Sequence, residues 1–159
     1  VSIKGENAVD PNGNIGVLAA DGGGGTVGGI WGTLTARGAH WVAPVSLERL
    51  VPDVIEAARE CGNHLWDLTM GQSAGLMPVV NAQVVTEIEA IAILSGVKAT
   101  HVASGGVSGS EGAVMLSLTG EEADVRAAFE MLEGIKGEEQ FESPRLIPYI
   151  REPETAPSA

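Results

Sequence analysis

Residues 79–136 decide the fold of this chain, and they read VVNAQVVTEIEAIAILSGVKATHVASGGVSGSEGAVMLSLTGEEADVRAAFEMLEGIK. An apolar run opens the stretch, a segment with helical spacing of apolar residues follows, and two strand-like segments then flank a glycine-rich loop. A segment with an acidic first turn and one apolar face closes it, as is typical of an amphipathic helix. This order predicts a compact βαββα unit. Because the stretch contains no cluster of His, Cys and Asp, it favours an assembly or binding protein over an enzyme.

The composition and the charge of the chain exclude several classes of partner. The formal net charge is −12, with only nine Lys and Arg in 159 residues. Nucleic acids and anionic membranes both bind basic surfaces, so we expect neither as a partner. No apolar run in the sequence approaches the roughly 20 residues that a membrane-spanning helix needs. Cys61 is the single cysteine, which excludes an internal disulfide and fits a reducing, cytoplasmic location.

The N-terminal half, residues 1–75, predicts a βαβαβ arrangement behind a polar lead-in over residues 1–14. The predicted strands cover residues 15–20, 39–45 and 64–70, and the predicted helices cover residues 27–37 and 46–62. Gly38 is placed to end the first helix, and Ser46 is placed to cap the second. Pro52 either kinks the second helix or marks its true start, because proline has no N–H group to donate.

The C-terminal half, residues 76–137, predicts the βαββα unit itself. Its strands are expected at residues 76–80, 99–107 and 113–120, and its helices at residues 82–95 and 121–137. Residues 138–159 are expected to form an extended, partly flexible tail, in which RLIPYI adds a short extended segment. Alternating strands and helices, as βαβ units, indicate an α/β fold with one mixed sheet or two small sheets.

The two halves share a pattern that is typical of an internal repeat. Both run in the order strand, helix, glycine, strand, with Gly38 and Gly96 in matching places. His40-Trp41-Val42-Ala43 matches Thr100-His101-Val102-Ala103 once a short gap is allowed. A true repeat predicts two related halves packed about a pseudo-twofold axis.

Four short motifs follow one another within residues 79–136. They are Ile88-Glu89-Ala90, Gly109-Ser110-Glu111-Gly112, Leu118-Thr119-Gly120 and Asp124-Val125-Arg126-Ala127. In this order they resemble the bacterial microcompartment shell domain: a step in the first helix, a small glycine-serine loop, the end of a strand and the start of the last helix. The resemblance implies a self-assembling shell protein that forms cyclic oligomers, either hexamers or, in a tandem arrangement, trimers. It also implies that the glycine-serine loops ring a central pore for small metabolites.

The loop of the C-terminal half is the first candidate site. Its candidate pore or ligand residues are Gly105, Gly106, Ser108, Gly109, Ser110, Glu111 and Gly112. Small residues let the backbone approach a symmetry axis or a ligand closely. Glu111 is the only charge in the loop, and around a pore it would favour cations or neutral polar solutes. The alternative is a solvated hairpin turn.

A second glycine-rich loop lies in the N-terminal half, between a predicted strand and a predicted helix. It contains Gly22, Gly23, Gly24, Gly25 and Thr26, whose backbone N–H groups could hold a small anionic metabolite at the helix N-terminus. No Lys-Ser/Thr pair follows, so it is not a Walker loop. The alternative is a turn that lets two elements pack closely.

A second hypothesis of function joins the two loops. It describes a small cytosolic α/β enzyme or ligand-binding protein that holds an anionic metabolite at both loops. Glu87 or Glu111 would then serve as the catalytic acid or base, since a carboxyl group in a cleft can have a raised pKa. The spacing of His40, His64 and His101 offers no metal site, and Cys61 with His64 is too small a pair to form one. We therefore expect no metal and no cofactor.

Overall fold

A computed structural model describes residues 1–137, which form a mixed α/β fold with three sheets and four α-helices. The strands are β1 (Ser2–Ile3), β2 (Ala8–Val9), β3 (Ile15–Ala19), β4 (Trp41–Pro44), β5 (Gly75–Val79), β6 (Gln83–Val85), β7 (Lys98–Ser104) and β8 (Val114–Thr119). The α-helices are α1 (Gly25–Ala36), α2 (Val54–Arg59), α3 (Glu87–Ser95) and α4 (Glu122–Ile135), and a 3-10 helix covers Leu47–Arg49. The predicted tail, with its extended segment, lies outside the described residues.

The three sheets have different strand directions. The first, in the order β1-β4-β6, is parallel, and the second, in the order β2-β3-β5, is antiparallel. The third is the antiparallel hairpin of β7 and β8, with an irregularity between His101 and Ala103. The α/β class is therefore confirmed, but the described strands form separate parallel and antiparallel sheets instead of one mixed sheet.

The N-terminal half confirms the predictions that rest on strong periodicity. Strand β3, helix α1 and strand β4 lie where they are expected, and Gly38 follows α1 with a φ of +59°. Pro52 separates two helices: Ser46 caps the 3-10 helix, and Asp53 caps α2. Pro52 thus marks the true start of the predicted helix, which was the second of the two alternatives, and does not kink it.

Two predictions for the N-terminal half are wrong. Residues 64–70 form no strand: no other strand of the described part of the chain pairs with them, and their apolar side chains face solvent, with Leu68 91% exposed. The polar lead-in contains the two strands β1 and β2. Strands of two residues are too short to show the alternation from which a strand is predicted.

One boundary in the C-terminal half is also wrong. The predicted helix 82–95 begins only at Glu87, and the residues before it form β6, which pairs with β4. Thr86 and Glu89 form a capping box that marks this start, a signal that is present in the sequence. Strand β5 pairs with β3, in the register Ile15 to Val79, and so joins the antiparallel sheet.

Two hydrophobic cores stabilise the described residues. The first packs the inner faces of the parallel and antiparallel sheets against α1, around Ile15, Val27, Trp41 and Val79. The second packs the β7–β8 hairpin against α3 and α4, around Ile91, Val97, Ala99 and Ala128. Full burial of a valine or isoleucine side chain in these cores contributes about 1.5–3 kcal/mol to the stability of the fold. None of the helices within residues 1–137 combines the length and the apolar character needed to cross a bilayer.

Candidate functional site

The loop that precedes α1 is closed by its own carboxylate. Asp21 Oδ1 accepts hydrogen bonds from the N–H groups of Gly23 (2.8 Å) and Gly25 (3.4 Å). Gly24, at the N-cap, has a φ of +82° and provides no side-chain cap. Negative charge is favoured at a helix N-terminus, and Asp21 supplies it from within the chain. The N–H groups of Gly23 and Gly25, which were candidates for binding an anionic metabolite, are therefore already bonded to Asp21.

A cleft of about 240 Å³ lies beside this loop and gathers polar side chains from distant parts of the sequence. Asp21, Cys61, Asn63 and His64 line it together with Gly22 and Gly24. Antiparallel pairing places Ala19 opposite Gly75 and so brings the strand ends of β3 and β5 to the same cleft. No pattern within one segment predicts this grouping, because it depends on that register and on where α2 ends.

Hydrogen bonds hold the walls of this cleft. The Cys61 thiol donates to the Ala74 carbonyl oxygen (3.3 Å), and the Asn63 amide donates to the Ala20 carbonyl oxygen (2.8 Å). Within residues 1–137, no three His, Cys, Asp or Glu side chains are grouped so that they could hold a metal ion. Asp21 carries the negative charge of the lining, so the cleft suits a cation or a neutral hydrogen-bonding solute better than an anion.

The loop between β7 and β8 is exposed along its whole length, residues 105–112. Gly105, Gly109 and Gly112 have positive φ values, and Ser108 shares this left-handed region with a φ of +55°. Glu111 folds back over the loop, where its carboxylate accepts a hydrogen bond from the Gly109 N–H group (2.8 Å). The loop is thus a protruding turn in which the only charge is held at a defined place.

The structure does not bring the two glycine-rich loops to one cleft. The lining of the cleft beside Asp21 includes no residue of the loop 105–112. That second loop approaches the 3-10 helix instead, since a Cβ added at Gly112 would lie 3.4 Å from a carboxylate oxygen of Glu48. Each loop must therefore be considered as a separate surface.

The carboxylates at the start of α3 act as caps. Glu87 Oε2 accepts a hydrogen bond from the Leu47 N–H group (2.9 Å), which ties α3 to the 3-10 helix. The Glu89 carboxylate accepts hydrogen bonds from the backbone N–H (2.8 Å) and the hydroxyl of Thr86. Burial alone would raise the pKa of Glu89, but these bonds outweigh it and lower the pKa below its usual value. Glu89 is therefore a structural anion and a poor proton donor.

Glu6, in the polar lead-in, is a buried carboxyl group beside the first core that the sequence does not predict. Glu6 is fully buried; its Oε1 accepts a hydrogen bond from Trp41 Nε1 (3.3 Å), and its Oε2 has no partner within residues 1–137. Burial raises the pKa of Glu6, and the charge of Lys4 and the Trp41 bond offset part of that rise. The group contributes stability below its unfolded pKa, and this stability is lost as the pH rises through its folded pKa.

The C-terminal half presents large apolar side chains to solvent. Ile93 and Leu94 on α3 are 70% and 69% exposed, and Phe129 on α4 is 56% exposed. Phe129 lines an open groove of about 650 Å³ between the end of β8 and α4, with Leu118 and Val125. The exposed apolar side chains thus lie at two places, one on α3 and one beside the groove of α4.

Function is therefore inferred from these surfaces. The geometry provides two separate glycine-rich loops, a small polar cleft and exposed apolar side chains on α3 and α4. In residues 1–137, no nucleophile, base and orienting group are joined in series by hydrogen bonds. Comparisons with protein-family models, with characterised proteins and with solved structures gave no match for this chain.

Proposed function

We propose that this protein is a structural subunit that assembles with copies of itself into a cyclic oligomer of the microcompartment-shell type, a trimer or a hexamer. The observation that carries the proposal is the β7–β8 hairpin, which has no third strand within residues 1–137. Among the described residues, each strand of the hairpin therefore has one edge whose N–H and C=O groups pair with no other strand. Open edges of this kind pair readily with another chain, and a two-stranded sheet gains stability from such pairing.

The apolar residues around the hairpin support a ring over a simple dimer. A cyclic oligomer larger than a dimer needs two different, complementary surfaces on each copy. The C-terminal half offers exposed apolar side chains at Ile93 and Leu94 on α3, and a groove along α4 that contains Phe129. The groove is lined by apolar and charged side chains, the charged ones being Glu122, Arg126, Glu130 and Glu133. We infer that the α3 surface of one copy packs into the α4 groove of the next.

The loop 105–112 suits a position near the axis of such a ring. It is exposed, and its glycines allow the close approach that several copies around one axis require. Glu111 would then repeat around the opening. Because its carboxylate is held by the Gly109 N–H group, the ring would present a fixed set of negative charges that favours cations and neutral polar solutes over anions.

The alternative of an anionic metabolite held by both glycine-rich loops has less support. Asp21 already bonds two N–H groups of the first loop, and it places a negative charge where the anion would lie. The second loop lies at a different surface and carries Glu111. Both loops thus have an acidic group beside the proposed donors, which disfavours an anion electrostatically.

Replacement of Leu94 by Lys is expected to break the oligomer. The change removes an apolar contact and puts an ammonium group into the proposed interface, where the loss of its hydration is costly. Lysine is favourable near the C-terminus of a helix, so α3 itself should remain folded. Light scattering of the full chain at matched concentrations measures the loss of mass, and circular dichroism checks the fold.

Leu68→Lys is the matched control for this experiment. Leu68 is 91% exposed, as against 69% for Leu94, and it lies in the N-terminal half, outside the proposed interface. The control should keep the mass of the wild-type protein. An equal loss of mass in both variants, or an unchanged mass in Leu94→Lys, would contradict the proposed interface.

A further inference from the structure

A second cleft, of about 410 Å³, lies between the parallel sheet and α3. Pro44 and Val85 are register partners at the ends of β4 and β6, and both line this cleft. In α/β proteins, ligands bind preferentially in crevices at the carboxyl ends of parallel strands. Residues of the 3-10 helix and of the first turn of α3 border it, so this open cleft is built from both halves of the described chain.

Two opposite charges line this cleft without pairing with each other. Arg49 and Glu87 both contribute to the lining, but no ion pair within 4.0 Å joins them in the described part of the chain. Each of the two side chains contacts other groups of the protein. Arg49 donates to the Glu6 carbonyl oxygen and lies 3.5 Å from Glu48, while Glu87 accepts from the Leu47 N–H group. The two charges thus line the same cleft, and each has a partner elsewhere in the protein.

The remaining walls of the cleft are small and apolar. Val45, Val85 and Ala90 provide them, and the hydroxyl groups of Ser46 and Thr86 are already used as helix caps. A ligand that satisfies all of these groups carries a carboxylate for the Arg49 guanidinium, an ammonium group for the Glu87 carboxylate and a short aliphatic part for the apolar walls.

We propose that this cleft binds a small zwitterion of the aliphatic amino-acid type, held between Arg49 and Glu87. The proposal goes beyond self-assembly and does not depend on it. Neither residue belongs to the α3 and α4 surfaces assigned to the interface. Two opposite charges on one lining select a zwitterion over a molecule with one charge, because a singly charged ligand complements only one of them.

The test compares three probes that share one branched aliphatic skeleton on the full chain: L-valine, isovalerate and isobutylamine. L-valine is expected to raise the melting temperature and to give a saturable titration by calorimetry. Isovalerate, which lacks the ammonium group, and isobutylamine, which lacks the carboxylate, are each expected to bind about tenfold more weakly or less.

Glu87→Gln is the decisive variant, because its amide oxygen keeps the acceptor for the Leu47 N–H group while the charge is lost. It should weaken L-valine binding about tenfold or more and leave isovalerate binding unchanged. Glu60→Gln, which changes an exposed carboxylate at the end of α2, is the control and should bind like the wild type. No stabilisation by millimolar L-valine, equal binding of isovalerate, or full binding by Glu87→Gln would each overturn the proposal.

Discussion

Replacing Asp10 by Asn is expected to lower the free energy of unfolding by about 2–4 kcal/mol, since one buried carboxylate connects three parts of the fold. Its Oδ1 accepts hydrogen bonds from the N–H groups of Asn12 (2.9 Å) and Asn14 (3.0 Å). Its Oδ2 accepts from the Asn14 amide (2.9 Å) and from the Val54 N–H group (3.0 Å). In asparagine, an NH2 group replaces one of the two carboxylate oxygens. That NH2 group would face the N–H donors that this oxygen now accepts from. Urea unfolding measures the loss.

The pH dependence of stability provides an independent readout for Asp10. Burial alone would raise the pKa of Asp10, but the hydrogen bonds from Asn14, Val54 and Asn12 outweigh it and lower the pKa. The folded pKa thus lies below the unfolded value of about 3.9. The stability from this group is present above that value and is lost as the pH falls through the folded pKa.

The exposed Asp67 provides the matched control for this prediction. Asp67→Asn should change the free energy of unfolding by less than about 0.5 kcal/mol and leave the acid transition in place. Asp10→Asn should flatten part of that transition. If the two variants unfold alike in urea and in acid, the buried carboxylate does not connect the hairpin of β2 and β3 to α2 as described.

Two neighbouring glycines in α1 should respond to alanine with opposite signs. Gly28→Ala is expected to destabilise the protein by about 1–3 kcal/mol, because the added Cβ would overlap the Gly23 carbonyl oxygen and lie 2.9 Å from its carbon. That carbonyl group belongs to the loop that Asp21 closes over the first turn of the helix. The backbone on both sides must move to make room.

Gly29→Ala tests the same change one residue further along the helix. Nothing lies within 4 Å of a Cβ at this position, so the gain in helix propensity, about 0.5–1 kcal/mol, should appear as added stability. Thermal or urea unfolding of the two variants compares them directly. Stabilisation by both substitutions would show that the loop does not lie against the helix as described.

The parts of the fold that were predictable are those whose pattern is complete within one segment. Strand β3 and helix α4 each show their periodicity over the whole element, and Gly38 and Gly96 end their helices with positive φ values. The sequence predicts β6 as part of the following helix, because the apolar residues of β6 continue the apolar run of α3. Only the capping box of Thr86 and Glu89 separates them.

The candidate sites were less predictable than the fold, for a physical reason. A glycine-rich loop can be recognised from its composition, and Asp21 before Gly23 is a local signal that the loop bonds to its own carboxylate. The clefts are different, because they join residues through pairing registers: Ala19 opposite Gly75 in one case, and Pro44 opposite Val85 in the other. No pattern along a single segment encodes such pairs.

The mass of the full chain in solution tests the central claim, self-assembly through the C-terminal half, most directly. Light scattering over a range of concentrations, at low and at high salt, distinguishes a closed ring from weak association. The account predicts a stable particle of three or six copies whose mass does not grow with concentration. In a closed ring, both interface surfaces of every copy are occupied, so no further copy can be added. A monomer, or a mass that rises without limit, would contradict it.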